Sequence, residues 1–300
     1  MLNGNVDGWE VTDCLVRNCD NIGIDIIGHE GKSSNASLDQ ARNGVVRGNT
    51  VHHIDALGNK AYTNSGEPSG YDLCADAIYV DGGKDVVIER NLAYSSDIGL
   101  EVASEHQNKA TSHITVRSNM IWNNGQCGMA IGGWRAAAGN ADHIQIVGNT
   151  FFRNGWYGWA MGELCIQYHT SDITVVNNLF YTTNWPPNED NAHLIRNTGA
   201  NTPVNLVIDY NLYYAAVGNP RWQVPGYTMA QTFAQWQGQG WDAHGLMANP
   251  FFLDSTYETG GVSSGGDQNP TMGTGGGLDL HLTETSPAIN AGTKESCQNN

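Results

Sequence analysis

Carboxylate side chains occupy one side of a short alternating segment that recurs in this 300-residue sequence. Five copies are GIDIIGHEG (23–31), AIYVDGGK (77–84), GLEVASEH (99–106), GMAIGGWR (128–135) and ELCIQYHT (163–170). Because the second and fourth positions are apolar in every copy, the pattern predicts a strand that buries one face. The opposite face then carries Asp25, Asp81 and Glu101. Paired carboxyl groups can perform the acid–base chemistry of glycoside hydrolysis.

The spacing of these carboxyl groups follows from stacking the copies as neighbouring strands. Strands lie about 4.8 Å apart and rise about 3.3 Å per residue. Asp81 lies one copy before Glu101 and two residues further along, which predicts a Cα separation of about 8 Å. Asp25 shares the position of Glu101 two copies away, at about 10 Å. Cα spacing alone does not choose between a retaining and an inverting glycosidase.

The same register brings polar and aromatic side chains to the ends of these strands. A Trp beside carboxylates is a stacking platform for a sugar ring, and His or Arg can bind hydroxyls or a substrate carboxylate. The expected substrate-binding residues are His29, Glu105, His106, Trp134, Arg135, Gln167 and His169. For any single His or Arg, a solvated strand end is the simpler interpretation. Their concentration in adjacent repeats favours a functional surface.

A second motif precedes these segments and predicts the scaffold that positions them. Its seven copies are VTDCLVRNC (11–19), VRGNTVHHI (46–54), IERNLAYSS (88–96), VRSNMIWNN (116–124), IVGNTFFRN (146–154), VVNNLFYTT (175–183) and IDYNLYYAA (208–216). Six copies carry Asn at the same place: Asn49, Asn91, Asn119, Asn149, Asn178 and Asn211. Units this short must stack to bury their apolar faces. The repeat therefore predicts a parallel β-solenoid with a structural Asn ladder.

The repeats also set the expected domain organisation. We expect one domain over residues 1–300, with repeats over about 8–216 and an irregular C-terminal region over 217–300. The chain starts within a repeat, so we expect it to be truncated at its N-terminus. Within the C-terminal region, residues 228–246 have helical spacing of apolar side chains, and the Gly- and Ser-rich residues 258–277 predict a loop.

The charge of the chain limits its possible partners. It contains 14 Lys and Arg against 30 Asp and Glu, for a net charge of −16. This balance argues against binding to nucleic acid and is compatible with a bound cation such as calcium. No apolar run of about 18 residues predicts a membrane helix, and the first residues do not resemble a signal peptide. An uncapped first coil would expose strand edges that can pair with another chain, so an oligomer is possible.

The Asn-centred repeats, the segments DAIYVDGGKDVVIERN and IGLEVASEH, and the ending ANPFFLD followed by LHLTETSPAINAG carry a family resemblance. They resemble right-handed parallel β-helix proteins of the pectate-lyase-like superfamily. The resemblance implies an all-β, right-handed parallel β-helix in a secreted or cell-surface protein that acts on a polysaccharide or oligosaccharide. Hydrolases, lyases, esterases, epimerases and phage tailspikes share this architecture, so function must be argued from the site.

Three functions fit the candidate residues. The first, which we favour, is a glycoside hydrolase with Asp81 and Glu101 as the acid/base pair and Asp25 as a third carboxylate. The second is a polysaccharide lyase, in which the resemblance implies a calcium ion held by acidic residues and a Lys or Arg base. Its cation ligands would be Asp25, Asp81, Glu101 and Glu105, and its base Lys84, Lys109 or Arg135. The third is a non-catalytic β-helix that binds carbohydrate or has a structural role, with Trp122, Trp156, Tyr157 and Trp159 as sugar platforms or subunit contacts.

Overall fold

Three parallel β-sheets run the length of the computed structural model, which describes residues 1–67, 69–156, 161–182, 193–216, 218–255 and 278–294. The strands are, in chain order, β1 (Leu2–Asn3), β2 (Val6–Thr12), β3 (Leu15–Cys19), β4 (Ile24–Ile27), β5 (Ala41–Arg47), β6 (Thr50–Ile54), β7 (Asp76–Asp81), β8 (Lys84–Glu89), β9 (Leu92–Tyr94), β10 (Ile98–Ala103), β11 (Ala110–Arg117), β12 (Met120–Trp122), β13 (Cys127–Ile131), β14 (Asn140–Val147), β15 (Thr150–Phe152), β16 (Gly162–Ile166), β17 (Thr170–Val176), β18 (Leu179–Thr182), β19 (His193–Asn197), β20 (Val204–Asp209), β21 (Leu212–Ala215), β22 (Arg221–Trp222), β23 (Leu246–Met247), β24 (Phe252–Asp254) and β25 (Asp279–Leu282). Two short 3₁₀ helices, Ala36–Leu38 and Lys60–Tyr62, and the helix α1 (Phe233–Gly238) complete the described elements. Within these ranges, no helix is long and apolar enough to span a membrane.

Among the described residues, seven successive coils each contribute one strand to each sheet in turn, and the last coil adds β22 and β23 to the first and third sheets. The first sheet has the order β1-β4-β7-β10-β13-β16-β19-β22, and the second has the order β2-β5-β8-β11-β14-β17-β20. The third has the order β23-β21-β18-β15-β12-β9-β6-β3. Strands of neighbouring coils pair in parallel, as β7 does with β10, β8 with β11 and β9 with β12. The predicted all-β parallel β-helix is therefore confirmed.

Apolar side chains from the three sheets fill the interior of the coils. Both apolar positions of each alternating segment are at most 5 % exposed, at Ile24, Ile26, Ile78, Val80, Leu100, Val102, Met129, Ile131, Leu164 and Ile166. Burial of an aliphatic side chain of this size contributes about 1.5–3 kcal/mol. The buried face predicted from the alternation is thus the core, and the intervening residues of the first sheet face outward.

Asparagine side chains form a continuous ladder at the turn between the second and third sheets. Asn119 Oδ1 accepts from the backbone N–H of Asn91 at 2.9 Å, and Asn119 Nδ2 donates to the Ile88 carbonyl at 2.9 Å. Equivalent bonds recur along the column at Asn49, Asn91, Asn149, Asn178 and Asn211. The ladder ends where the Asn211 N–H donates to Asp242 Oδ1 at 3.1 Å. Buried backbone groups require such partners, and the structural role predicted for this column is confirmed.

A second ladder, which the sequence did not reveal, lies at the turn between the third and first sheets. The Ser96 N–H donates to Asn124 Oδ1 at 3.1 Å, and the Asn124 N–H donates to Asn154 Oδ1 at 3.0 Å. The Asn154 N–H then donates to Glu163 Oε1 at 3.0 Å. Burial raises the pKa of Glu163 well above its usual value, even though the Asn154 side chain opposes the shift.

The C-terminal region first continues the coils, since β22 and β23 pair with strands of the first and third sheets, and its later described part folds back onto them. The predicted helical segment contains α1, and Trp236 of this helix is fully buried. β24 and β25 pair antiparallel, and Leu280 of β25 joins a buried aromatic cluster on the outer face of the third sheet. That cluster comprises Tyr94, Trp122 and Phe152. The loop predicted over 258–277 lies outside the described residues.

Candidate functional site

The predicted carboxylates lie on the outer face of the first sheet. Asp25 pairs with Tyr79, and Tyr79 pairs with Glu101, so Asp25 and Glu101 share a column two coils apart. Asp81 pairs with Ala103, which places it one coil before Glu101 and two residues further along. The register predicted for these three residues is confirmed. The exposures of Asp25, Asp81 and Glu101 are only 6 %, 8 % and 9 %, so all three side chains are largely shielded from water although they lie on the outer face of the sheet.

A fourth carboxyl group, that of Asp76, joins them at the start of β7. Its side chain is 2 % exposed, and the charge of the nearby Glu101 carboxyl group adds to the effect of burial in raising the pKa of Asp76. Two buried carboxyl groups this close together favour a proton on one of them, because like charges repel in a site with little water. Strict alternation from Ile78 assigns Asp76 to the buried face, so the sequence pattern does not predict this residue in the site. The available signal was an acidic residue at a position expected to face an apolar core.

Burial raises the pKa of all four groups, which we call the carboxylate cluster (Asp25, Asp76, Asp81 and Glu101). Burial, with the Asp81 charge, raises the pKa of Asp25 to about 7. Burial raises the pKa of Asp81 to about 6, although the Glu105 N–H opposes this by donating to Asp81 Oδ1 at 2.9 Å. The pKa values of Asp76 and Glu101 are also raised by burial, and the Glu101 charge raises that of Asp76 further. Protonated and ionised carboxyl groups therefore coexist here at neutral pH.

Charged side chains from the adjoining turns form one edge of the cluster. His106 Nε2 lies 2.9 Å from Glu30 Oε1, and His106 is close enough for its charge to act on Asp81. Burial lowers the pKa of His29, and the charges of Lys109 and His106 add to that effect. Three of the predicted substrate-binding residues, His29, Glu105 and His106, are thus brought to the cluster.

An insertion over residues 56–74 approaches the opposite edge. Its two ends are joined by Asp97, whose Oδ2 accepts from the N–H groups of Ala56 at 2.8 Å and Ala75 at 3.1 Å. Tyr62, inside the insertion, donates from its hydroxyl to Asn21 Oδ1 at 2.6 Å. Burial raises the pKa of Tyr62, and the cluster residues Asp76 and Asp25 add to the shift. The carboxylate cluster therefore lies between two sets of turns.

One side of the cluster offers donor atoms for a cation. Ligand atoms of Glu30, Asp81 and His106 lie within 4.8 Å of one another. Nearby, Asp25 Oδ1 is buried and has no hydrogen-bond partner among the described residues. Carboxylate oxygens suit calcium or magnesium, whereas an imidazole nitrogen is more typical of transition-metal sites. The residues fit a divalent cation, with a donor set less typical of calcium.

The other four predicted binding residues lie on later coils. Beyond Glu101 its column continues with Ala130 and Cys165, so the acidic surface ends at Glu101. Trp134 is exposed, and the guanidinium of Arg135 lies 4.5 Å from the centre of its ring. Gln167 is buried. His169 donates a hydrogen bond from Nε2 to the Ala136 carbonyl at 2.9 Å. The predicted binding set is therefore two groups, one at the cluster and one further along the axis.

The candidate lyase bases and the candidate aromatic platforms also lie on different parts of the molecule. Lys84 lies on the second sheet with its Nζ 3.8 Å from Asp85, whereas Lys109 is at the edge of the cluster near His29. Trp122 is on the third sheet, 6 % exposed and stacked on Tyr94 at 4.2 Å, so its prediction as an exposed platform is wrong. The chain packs Leu280 against that ring. Trp156 is half-buried, and Tyr157 and Trp159 lie outside the described residues.

Comparisons with known proteins show to which protein family this chain belongs. A family model described as "Right handed beta helix region" matches residues 1–205. YwoF of Bacillus subtilis (strain 168), described as an uncharacterized protein, is 34 % identical over 257 residues, which are 85 % of this chain and 51 % of YwoF. The chain thus spans about half the length of this curated relative. The crystal structure of the Dettilon tailspike protein (gp208) is similar with a TM-score of 0.37 and 11 % identity, over 70 % of this chain and 55 % of the tailspike chain. On the family model, the chain belongs to the right-handed β-helix family, and the handedness predicted from the sequence is confirmed.

Proposed function

We propose that this protein is a glycoside hydrolase that acts on a polysaccharide or oligosaccharide at the carboxylate cluster. The supporting observation is that two buried carboxyl groups, Asp76 and Glu101, lie next to Asp81, whose ionised form is favoured by the Glu105 N–H at 2.9 Å. Adjacent carboxyl groups with different proton affinities are what acid and base roles require. Such a substrate implies a secreted or cell-surface location, which fractionation of cells and medium would test.

In this proposal Glu101 is the general acid. It donates its proton to the glycosidic oxygen as the bond to the anomeric carbon breaks, and Asp76 keeps the proton on the pair before the reaction. The Asp81 carboxylate either removes a proton from the attacking water or attacks the anomeric carbon itself. Water supplies the hydroxyl of one product and the proton that restores Glu101. The anomeric configuration of the first product, followed by NMR, distinguishes the two routes.

The test is incubation with a panel of neutral and uronate-containing polysaccharides, following reducing ends and the absorbance of unsaturated product. We expect reducing ends without unsaturated product. Glu101→Gln should lower kcat by about 10²–10⁴-fold, because the variant cannot protonate the leaving group. Asp7→Asn is the control, since Asp7 is an exposed residue of the second sheet, paired with Arg42 at 2.9 Å. Unchanged turnover in Glu101→Gln would reject the assignment, and sugar binding without any turnover would favour a non-catalytic β-helix.

A polysaccharide lyase is the second candidate, because the donor atoms of Glu30, Asp81 and His106 could hold a divalent cation. The cation, when bound, would neutralise the carboxylate of a uronate, and Lys109 would be the base that removes the adjacent proton. This function gives an unsaturated product that disappears on chelation. Such a product, lost in Lys109→Gln and kept in Lys84→Gln, would replace the hydrolase assignment with the lyase.

A further inference from the structure

A groove of about 720 Å³ lies further along the axis from the carboxylate cluster. Its walls are the turns that lead from the first to the second sheet on four successive coils, with lining residues within 107–110, 136–140, 169–171 and 201–204. Coils are about 4.8 Å apart, so these turns extend over about 14 Å. A ligand that fills the groove would lie extended along the axis of the β-helix.

Polar side chains contribute to the lining of the groove beside apolar surface, and Lys109 brings a positive charge to it. Amide and hydroxyl side chains such as Asn108, Asn140 and Thr202 can bind sugar hydroxyls, and Lys109 and His169 supply cationic or ionisable groups. Among the described lining residues there is no carboxylate, in a chain whose net charge is −16. This contrast in charge favours an anionic ligand over a cationic one.

The groove is connected to the edge of the carboxylate cluster. The carbonyl of Ala110, a lining residue, accepts hydrogen bonds from His29 Nε2 and Gln40 Nε2, each at 3.4 Å. On the next coil, Arg135 directly precedes the lining residue Ala136, whose carbonyl accepts the bond from His169. Side chains able to bind a substrate therefore continue from the cluster into the groove.

We infer that the groove is a subsite for an acidic oligosaccharide, holding sugar units beyond the bond that is cleaved. Lys109, with Arg135 and His169, would pair with sugar carboxylates, and the amides would bind hydroxyls. The inference rests on the proposed function for the carbohydrate nature of the ligand, and it names the class of substrate as a chain that bears carboxylate groups.

The test measures binding apart from turnover, using Glu101→Gln and isothermal titration calorimetry. The probes are a tetramer of a uronic acid and the same tetramer with its carboxyl groups reduced. We expect the uronate tetramer to bind about tenfold more tightly, and Lys109→Gln in the same background to remove about that factor for the uronate alone. Added salt should weaken uronate binding only. Arg17→Gln is the matched control, because it removes the same charge from an exposed position on the third sheet.

Equal affinity for the two tetramers, or uronate affinity unchanged by Lys109→Gln, would overturn the inference. Turnover by the unmodified chain is measured separately on the same glycans. Uronate binding that depends on Lys109, without hydrolysis of any glycan, would reject the proposed function and keep the subsite. Hydrolysis of neutral glycans without preferential uronate binding would reject the subsite alone.

Discussion

Individual carboxyl groups in this protein differ in what their ionisation does to folding. Burial alone would raise the pKa of Glu89. Hydrogen bonds from Arg117 at 2.7 Å and Arg47 at 2.5 Å oppose this effect and hold the pKa of Glu89 below its usual value. The carboxylate cluster is the opposite case, because burial raises the pKa of each member. A carboxyl group whose pKa is raised by folding binds its proton more tightly in the folded chain, so its ionisation destabilises the fold.

The effect of Asp25 on stability should therefore depend on pH. Its pKa rises from 3.8 to about 7 on folding. Between these values the folded chain binds more protons than the unfolded chain, so the Asp25 contribution falls as pH rises from about 4 to 7. We compare the free energy of unfolding of Asp25→Asn with that of the parent at each pH. Between pH 4 and pH 8 this difference should move in favour of the variant by about 1–3 kcal/mol.

Chemical denaturation at pH 4 and pH 8 measures this difference. Asp7→Asn is the control, since hydrogen bonding to Asn43 lowers the pKa of this exposed residue. That control should show no gain at the higher pH. An equal pH dependence for the parent and Asp25→Asn would contradict the assigned environment of Asp25.

At the scale of elements, the turns are held by side chains rather than by helix or hairpin geometry. Each Asn of the main ladder binds backbone groups of the neighbouring coils, so the strands on either side keep a fixed register. The alternation of the first sheet depends on that register, because a slip of one residue would exchange the inward and outward faces. The ladder therefore also determines which residues lie in the carboxylate cluster.

We expect Asn119→Ala to be strongly destabilising. The change leaves the Asn91 N–H without its acceptor and the Ile88 carbonyl without its donor, both inside the fold. Each buried group left without a partner costs about 1–3 kcal/mol, so the free energy of unfolding should fall by roughly 2–5 kcal/mol. Asn35→Ala, at an exposed turn, is the control in the same denaturation experiment, and a loss as small as that of the control would exclude a structural ladder.

At the scale of the whole molecule, most contacts join neighbouring coils, and the C-terminal segment is an exception. Leu280 packs on Tyr94, Trp122 and Phe152, which belong to three successive coils. Further along the chain, Asn177 donates to the Thr293 carbonyl and accepts from its N–H, both at 2.8 Å. The segment therefore covers apolar surface that the third sheet would otherwise expose to water.

Truncation of Leu280 tests this covering role. We expect Leu280→Ala to lower the free energy of unfolding by about 2–4 kcal/mol, because the side chain is 5 % exposed and leaves a cavity against aromatic rings. The emission of Trp122 should also shift to longer wavelength as water reaches it. Ile289→Ala, at a residue that is 45 % exposed, is the control and should change stability by less than about 0.5 kcal/mol. A comparable small change for Leu280→Ala would mean that the segment does not stabilise the coils.

The parallel solenoid, its buried face, the main Asn ladder and the register of Asp25, Asp81 and Glu101 could all be predicted from the sequence. These features follow from alternation within a strand and from a period repeated along the chain, and both are visible in one dimension. The register was correct because equivalent positions in successive repeats become neighbours once the repeats stack.

Three features could be seen only in the folded chain: Asp76 beside Glu101, the second ladder, and the division of the predicted binding residues into two groups. Asp76 faces outward because the strand departs from strict alternation at its start, which the pattern of Ile78 and Val80 does not encode. Trp122 is buried by Leu280, a residue far along the chain. Trp134 and His169 lie in the turns of later coils, and the column of outward-facing residues beyond Glu101 continues with the apolar Ala130. These features depend on contacts between side chains that are distant in the sequence and on the lengths and paths of the turns. A short repeating pattern in the sequence specifies neither the contacts nor the turns.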